Sequence, residues 1–345
     1  MMSRWLSRAA VALATTIACL VPLMATDLTF FVQMTLSAVI VTGLCLFMGF
    51  AGQASLGQGA FVAAGGLAVA VTTVQLGMPP LLALLLSPVL GALLAAVVGW
   101  PLLRLRGHYL AFGTLAVLML VQVMMATVPL FGGGTGIFGI PALSVGPFAV
   151  TGQLPYAYLA LALLGVALIV SRNLVRSRFG RGIRALAGSE TAAASSGVPI
   201  FRSKLLVFAV SGALAGAAGG IGAFFTPYVS QDTYPPLASF GYVIMAVIGG
   251  VGSLWGGVVG AVALSLWLQL MSILSTLPGL PDTAASIFQY AGYGLALVVF
   301  LLLMPDGIVP SVQRAWEGRR TDPGGGLPRD ASALLHGGRA AATEE

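Results

Sequence analysis

Charge is what this chain has least of. Asp, Glu, Lys and Arg together make up 8% of its 345 residues, against about 25% in an ordinary globular protein. None of the four occurs from Leu28 to Leu103, and none from Gly107 to Ser171. A soluble surface cannot be assembled from such stretches, which excludes a soluble enzyme. Lys204 is the single lysine, and no G-x-x-x-x-G-K-[ST] loop precedes it, so the chain has no phosphate-binding loop of its own. His108 and His336 stand far apart in sequence and provide neither a triad base nor a zinc cluster. The two cysteines, Cys19 and Cys45, lie inside apolar runs without metal-ligand spacing, which makes them packing residues. No catalytic residue, metal site or cofactor is therefore expected on this chain.

What the chain does have is apolar sequence. Hydrophobic residues are 58% of it and glycines number 46, with a mean hydropathy of +0.99. A spanning helix needs about 20 predominantly apolar residues. On that basis spans are expected at 9–26, 28–50, 57–76, 80–103, 109–130, 154–171, 205–225, 237–252, 256–275 and 287–304. The fold class is thus all-α, a polytopic membrane bundle of about ten transmembrane helices. The span at 237–252 is short, and the Gly249–Gly257 segment beside it reads as a broken or re-entrant helix.

The charges test this arrangement. If the N-terminus is cytoplasmic, all 16 basic residues fall in the inside segments 1–8, 104–108, 172–204 and 305–345. The outside loops then hold only Asp27, Asp232 and Asp282. That partition obeys the positive-inside rule completely and places both termini in the cytoplasm. It also accounts for the net charge of +6: no aromatic-interleaved basic patch speaks for nucleic acid. Arg4 and Arg8 ahead of an apolar run resemble a signal peptide, but no convincing small-x-small cleavage site lies around Ala25, so a retained first helix is expected. Residues 1–312 are read as the membrane domain, with 172–204 as its large cytoplasmic loop. From 313 to 345 a Gly-, Pro- and Arg-rich composition predicts a disordered cytoplasmic tail.

Several signals lie within the spans. Gly212, Gly216 and Gly220 recur at every fourth position, as do Gly252, Gly256 and Gly260. Such spacing lets two helix backbones approach closely, either inside one bundle or at a seam between two membrane subunits. The segment GQASLGQG, Gly52–Gly59, holds three polar residues, Gln53, Ser55 and Gln58. It reads as a helix break lining a translocation pathway, or as a plain cytoplasmic turn. Gly134, Gly136 and Gly139 match G-x-G-x-x-G but lie between two spanning helices, where the fingerprint has no meaning. No carboxylate falls at the centre of a span, whereas ion-coupled pumps usually keep an intramembrane acid or histidine. That weighs against a secondary transporter.

The loop 172–204 holds seven basic residues and one acid, Glu190. Within it SETAAASSGVP, from Ser189 to Pro199, predicts a short helix. Ser189 caps it, Glu190 suits its positive end, Gly197 supplies a left-handed residue, and Pro199 blocks continuation. Two turns cannot persist alone in water, so the helix must pack on something. The flanking arginines fit either a lipid surface or a cytoplasmic partner.

Five segments occur in order: GQASLGQGAF (52–61), LRLRGHYLAFGTLAVL (103–118), GGGTGIFGIP (132–141), VIGGVGSLWGGVVGA (247–261) and LLLMPDGIVP (301–310). Together they resemble the permease subunits of ABC importers for branched-chain amino acids, in particular the M-type of the two paired permeases. The resemblance covers roughly residues 30–312. It implies an inner-membrane importer with a second permease subunit, two cytoplasmic ATP-binding subunits that hold ATP and Mg, and an extracytoplasmic substrate-binding protein. In such permeases a loop motif E-A-A-x-x-x-G docks into the ATPase. Thr191, Ala192, Ala193 and Gly197 match its spacing, with Thr191 in place of the acid and Glu190 beside it. Related permeases serve urea or short amides, which is the alternative substrate class. An ion-coupled secondary transporter and a non-transporting assembly protein are the readings from other classes.

Overall fold

Asp27 opens the described chain. Its carboxylate accepts a hydrogen bond from the Phe30 N–H at 3.1 Å, so it satisfies one of the free donors at the start of α1, Leu28–Cys45. The computed structural model describes residues 27–105, 107–145, 148–188, 190–275, 284–304, 307–311 and 314. The expected first span at 9–26 and most of the 313–345 tail lie outside these residues.

Helix α1 widens into a π turn at Leu46–Phe50. Helix α2, Gln58–Ala70, does the same at Val71–Gln75. There the Thr72 and Thr73 hydroxyls donate to the Ala68 and Val69 carbonyls, at 2.6 and 2.7 Å, which satisfies polar side chains inside an apolar bundle. Next come α3 (Pro80–Leu102), α4 (His108–Thr127) and α5 (Gln153–Arg176). A short α6 (Arg178–Gly188) and α7 (Glu190–Ser195) precede α8 (Ile200–Phe225). Then follow α9 (Pro236–Gly249), α10 (Leu254–Ser275) and α11 (Ala284–Leu303).

Among the described residues, seven helices are long and apolar enough to cross a membrane. The expectation of about ten spans is met only in this coarser form. Helix α9 has 14 residues, about 21 Å of rise, which is short of the roughly 30 Å hydrocarbon thickness. The all-α expectation also missed four two-residue strands in the loops. Ile137–Phe138 (β1) pairs antiparallel with Tyr228–Val229 (β4), and Ser144–Val145 (β2) with Phe148–Ala149 (β3). Two-residue strands carry no periodic signal in a sequence.

Helices α1, α2 and α8 form the centre, with 78%, 72% and 67% of their apolar stretches buried within the chain, against 22% to 28% for α3, α4, α5 and α10. Glycine makes that centre. A Cβ at Gly212 would stand 2.5 Å from the Ala95 Cβ, and one at Gly216 would stand 2.6 Å from the Ser87 carbonyl oxygen. At Gly220 it would meet the Ser87 side chain. All three glycines therefore face α3 of the same chain, and the other side of α8 takes α2, with Gly65 against Gly216 and Gly219 against Val62. Lipid gives no hydrophobic push between helices, so this close approach supplies dispersion and weak polar contacts instead.

The second stripe needs correction. Gly256 and Gly260 face Gly249 and Met245 of α9, but Gly252 sits in the preceding turn with nothing within 4 Å. The regular spacing ran across a helix boundary, and Gly249 is the third member of the true contact.

Gly216→Leu is expected to unfold the α3–α8 crossing, because a side chain cannot enter it without moving backbone, a cost above about 3 kcal/mol. Gly165→Leu is the control, since nothing lies within 4 Å of its Cβ direction. Thermal denaturation of both purified variants checks this: only Gly216→Leu should lose its folded transition.

Candidate functional site

Gly52 to Gly59 forms a break between two central helices. Gly52 turns the chain with φ +65° after α1. Gly52 and Ala54 are exposed and Gln53 is half-buried, whereas Ser55 and Gln58 are buried at 0% and 1% exposure. The Leu56 N–H donates to Thr114 Oγ1 at 3.0 Å, and the Gly57 N–H to Ser55 Oγ at 3.4 Å. Thr114 lies six residues into α4, or about 9 Å of helix rise. The start of α2 is thus held against α4 well past that helix's first turn, with Ser55, Gly57 and Gln58 buried in protein. The non-helical backbone is tolerated there because protein encloses it.

Two buried polar contacts fix the start of α2. Gln58 Nε2 donates to Ser211 Oγ of α8 at 3.0 Å and approaches the Ser211 carbonyl at 3.4 Å. The Gly59 N–H donates to Ser239 Oγ at 2.8 Å. Ser239 belongs to the first turn of α9, so the start of one helix caps the start of another. Ser239 lies ten residues from Gly249, about 15 Å along α9; the two shortened helices meet within the bundle. Gln58 Oε1 is buried and has no partner among the described residues. Such an acceptor costs about 1–3 kcal/mol while it stays unpaired.

At the basic end, Ser177 starts α6. Its Oγ accepts from the Gly180 N–H at 3.1 Å, and Arg184 Nη2 donates to the Val175 carbonyl that ends α5 at 2.9 Å. Gly180, Ile183 and Leu186 face inward, while Arg178, Arg181 and Arg184 are exposed. The Ala187 Cα lies 3.3 Å from where a Cβ on Gly52 would stand, which seats α6 directly against the broken segment.

Helix α7 follows with Glu190, Thr191, Ala192 and Ala193 in it; Ser189 lies outside the described residues. Its end is a Schellman motif. The Val198 N–H donates to the Ala193 carbonyl at 3.1 Å, the Gly197 N–H donates to the Ala194 carbonyl at 2.9 Å, and Gly197 has φ +78°. Pro199 then precedes α8. Val198 packs on Gly182 of α6, 3.2 Å from its Cβ position, so α7 is held by its own chain. Ala193 is buried at 0% exposure. It therefore faces this chain, and Thr191, Ala194 and Ser195 form the exposed side.

Sequence reasoning found Gln58 but missed Thr114, Ser211 and Ser239. Each is a hydroxyl inside an uncharged apolar run, and that isolation was the available signal. The charge-free stretches hide which distant helix such a hydroxyl serves.

The fold is a polytopic helical bundle with a broken segment between two central helices and a short, glycine-terminated helix at its basic end. The chain belongs to the family described as branched-chain amino acid transport system / permease component, which it matches over residues 28–304. It is similar to the high-affinity branched-chain amino acid transport system permease protein LivM of Salmonella typhimurium and of Escherichia coli, 28% identical over 292 residues in each case. The match covers 78% of this chain and 66% of those relatives, just under two thirds of their length. The nucleoside ABC transporter permease protein NupC of Lactococcus lactis is 24% identical over 248 residues, covering 68% of this chain and 76% of that protein.

Ser239→Ala leaves the Gly59 N–H uncapped. It should lower stability by about 1 kcal/mol, read as a lower denaturation midpoint in detergent, while Ser272→Ala on an exposed face of α10 leaves that midpoint unchanged.

Proposed function

We propose that this chain is the membrane-spanning permease subunit of an ATP-driven importer that moves branched-chain amino acids across the inner membrane. The family match over residues 28–304 carries this reading. A second permease subunit would complete the pathway. Two cytoplasmic subunits would bind ATP and Mg, and an extracytoplasmic binding protein would deliver substrate. The chain itself contributes no catalytic residue. Both termini are cytoplasmic in this proposal, the spans number about ten, and residues 313–345 form a tail beyond the membrane domain.

The helix Glu190–Ser195 is the coupling element in this mechanism. ATP closure in the partners would press on its exposed side, and Val198 and Gly182 would pass that motion to α6. Helix α6 lies against Gly52, so the displacement reaches the start of α2. Gln53, Ser55 and Gln58 then become pathway residues as α2 shifts against α8, and Gln58 Oε1 gains a donor from the permeating amino acid or its water. The matched nucleoside permease supports a second reading of the substrate, in which the shared scaffold leaves selection to the binding protein; urea and short amides are included in that reading. Ion-coupled transport is the reading that ATP dependence would dismiss.

Reconstituted with its partners, the chain should support ATP-dependent uptake of leucine into vesicles. Uptake driven by an ion gradient without ATP would overturn the proposal, and uptake of urea in place of leucine would move it to the second substrate class. Gly197→Val, which is strained at positive φ, and Ala194→Asp, on the exposed side of α7, should both reduce uptake at least tenfold and loosen the ATP-binding subunits. Both should insert normally. Equal uptake and co-purification in these variants would remove the coupling role. Asp232→Cys should react with an impermeant thiol reagent in intact cells and Ala187→Cys should not; the reverse pattern would invert the orientation.

A further inference from the structure

Helices α3 and α4 lie against each other near the turn that joins them, where Gly113 meets Leu102. Farther along they part, and α2 becomes the floor of a cleft of about 420 Å³. Its walls are apolar: Leu93, Leu94 and Val97 from α3, Leu67 from α2, and Met124 from α4. Leu93 and Val97 are 54% and 62% exposed, so no described residue covers them. The same face of α3 continues to a different chemistry. Positions 93, 97 and 100 follow one another at helical spacing; the last is Trp100, and Arg104 stands in the turn just after α3 ends at Leu102. Trp100 is 57% exposed and stands edge-on to Phe201 at 5.3 Å. The Arg104 guanidinium lies over its ring, 6.0 Å from the centroid. Asp27 and Asp232, the aspartates with described positions, belong to the opposite ends of the spans.

We propose that this groove binds an anionic phospholipid, with the phosphate at Arg104, the glycerol region against Trp100, and an acyl chain running over Val97 and Leu93 into the cleft. The dimensions agree. Val97 and Leu93 lie three and seven residues before Trp100, about 5 and 11 Å of helix rise, and Arg104 follows in the turn past Leu102. One leaflet of hydrocarbon is about 15 Å deep. An indole at the interface and a guanidinium beyond it are the groups that sit at headgroup level, and a basic residue there favours an anionic headgroup over a zwitterionic one. A helix of a partner subunit would use the apolar cleft but would have no use for the exposed charge of Arg104 beside Trp100. The site depends on membrane insertion alone, whatever substrate is carried.

Native mass spectrometry of the full chain, purified with the subunits that accompany it, tests this. The protein is extracted, delipidated and offered equal phosphatidylglycerol and phosphatidylcholine. Wild type should retain phosphatidylglycerol in preference. Arg104→Gln should retain about fivefold less of it with phosphatidylcholine unchanged, and Leu93→Trp, which fills the cleft, should retain little of either lipid. Equal retention of the two lipids by wild type, or unchanged retention in Arg104→Gln, would overturn the proposal. Release of a membrane subunit by Leu93→Trp would overturn it too, by showing that a protein helix fills the cleft. Circular dichroism on each variant separates these results from misfolding, and Val97→Trp replaces Leu93→Trp if the latter loses its helix signal.

Discussion

Backbone-to-backbone contact along α8 is the interaction on which the rest of the molecule depends. In lipid an exposed leucine loses nothing by being exposed, so the usual drive to bury apolar side chains does not hold helices together. Cohesion has to come from closeness. Gly216 accepts Gly91 of α3 on one side and Gly65 of α2 on the other, so at this level three helices meet with no side chain between them. With α8 fixed in this way, Ser211 on the same helix stands where Gln58 can reach it at 3.0 Å.

The second constraint is that lipid offers no hydrogen bonds. Every donor freed by a helix break must find a protein acceptor. The broken segment after α1 solves this with side chains from remote parts of the chain. Thr114 takes one N–H and Ser239 another, and in doing so they tie α4 and α9 to the start of α2. A local defect in one helix becomes a junction of three. Helix α6, against Gly52, joins that junction from the basic end.

Much of this was legible in the sequence, for identifiable reasons. The spans stood out because a charge-free run of apolar residues has few other uses. The end of α7 was readable because a left-handed residue before proline leaves glycine nearly alone as a candidate, and Gly197 does adopt φ +78°. Gly252 was misplaced because fourfold spacing does not mark where a helix begins. The inward side of Ala193 could not be read, since in a two-turn helix rich in alanine no face is distinguished by composition. Ser211 and Ser239 lie 153 and 180 residues from the groups they bind, and no local pattern spans that distance.

The pairing of β1 with β4 joins the loop after α4 to the loop after α8, and Phe138 stacks on Tyr228 across it with ring centroids 4.2 Å apart. The Tyr228 hydroxyl adds a bond to the Thr135 carbonyl at 3.3 Å. Such a clasp ties the loop after α4 to the loop after α8. Neither loop can swing free while the clasp holds; a displacement of one is passed to the other.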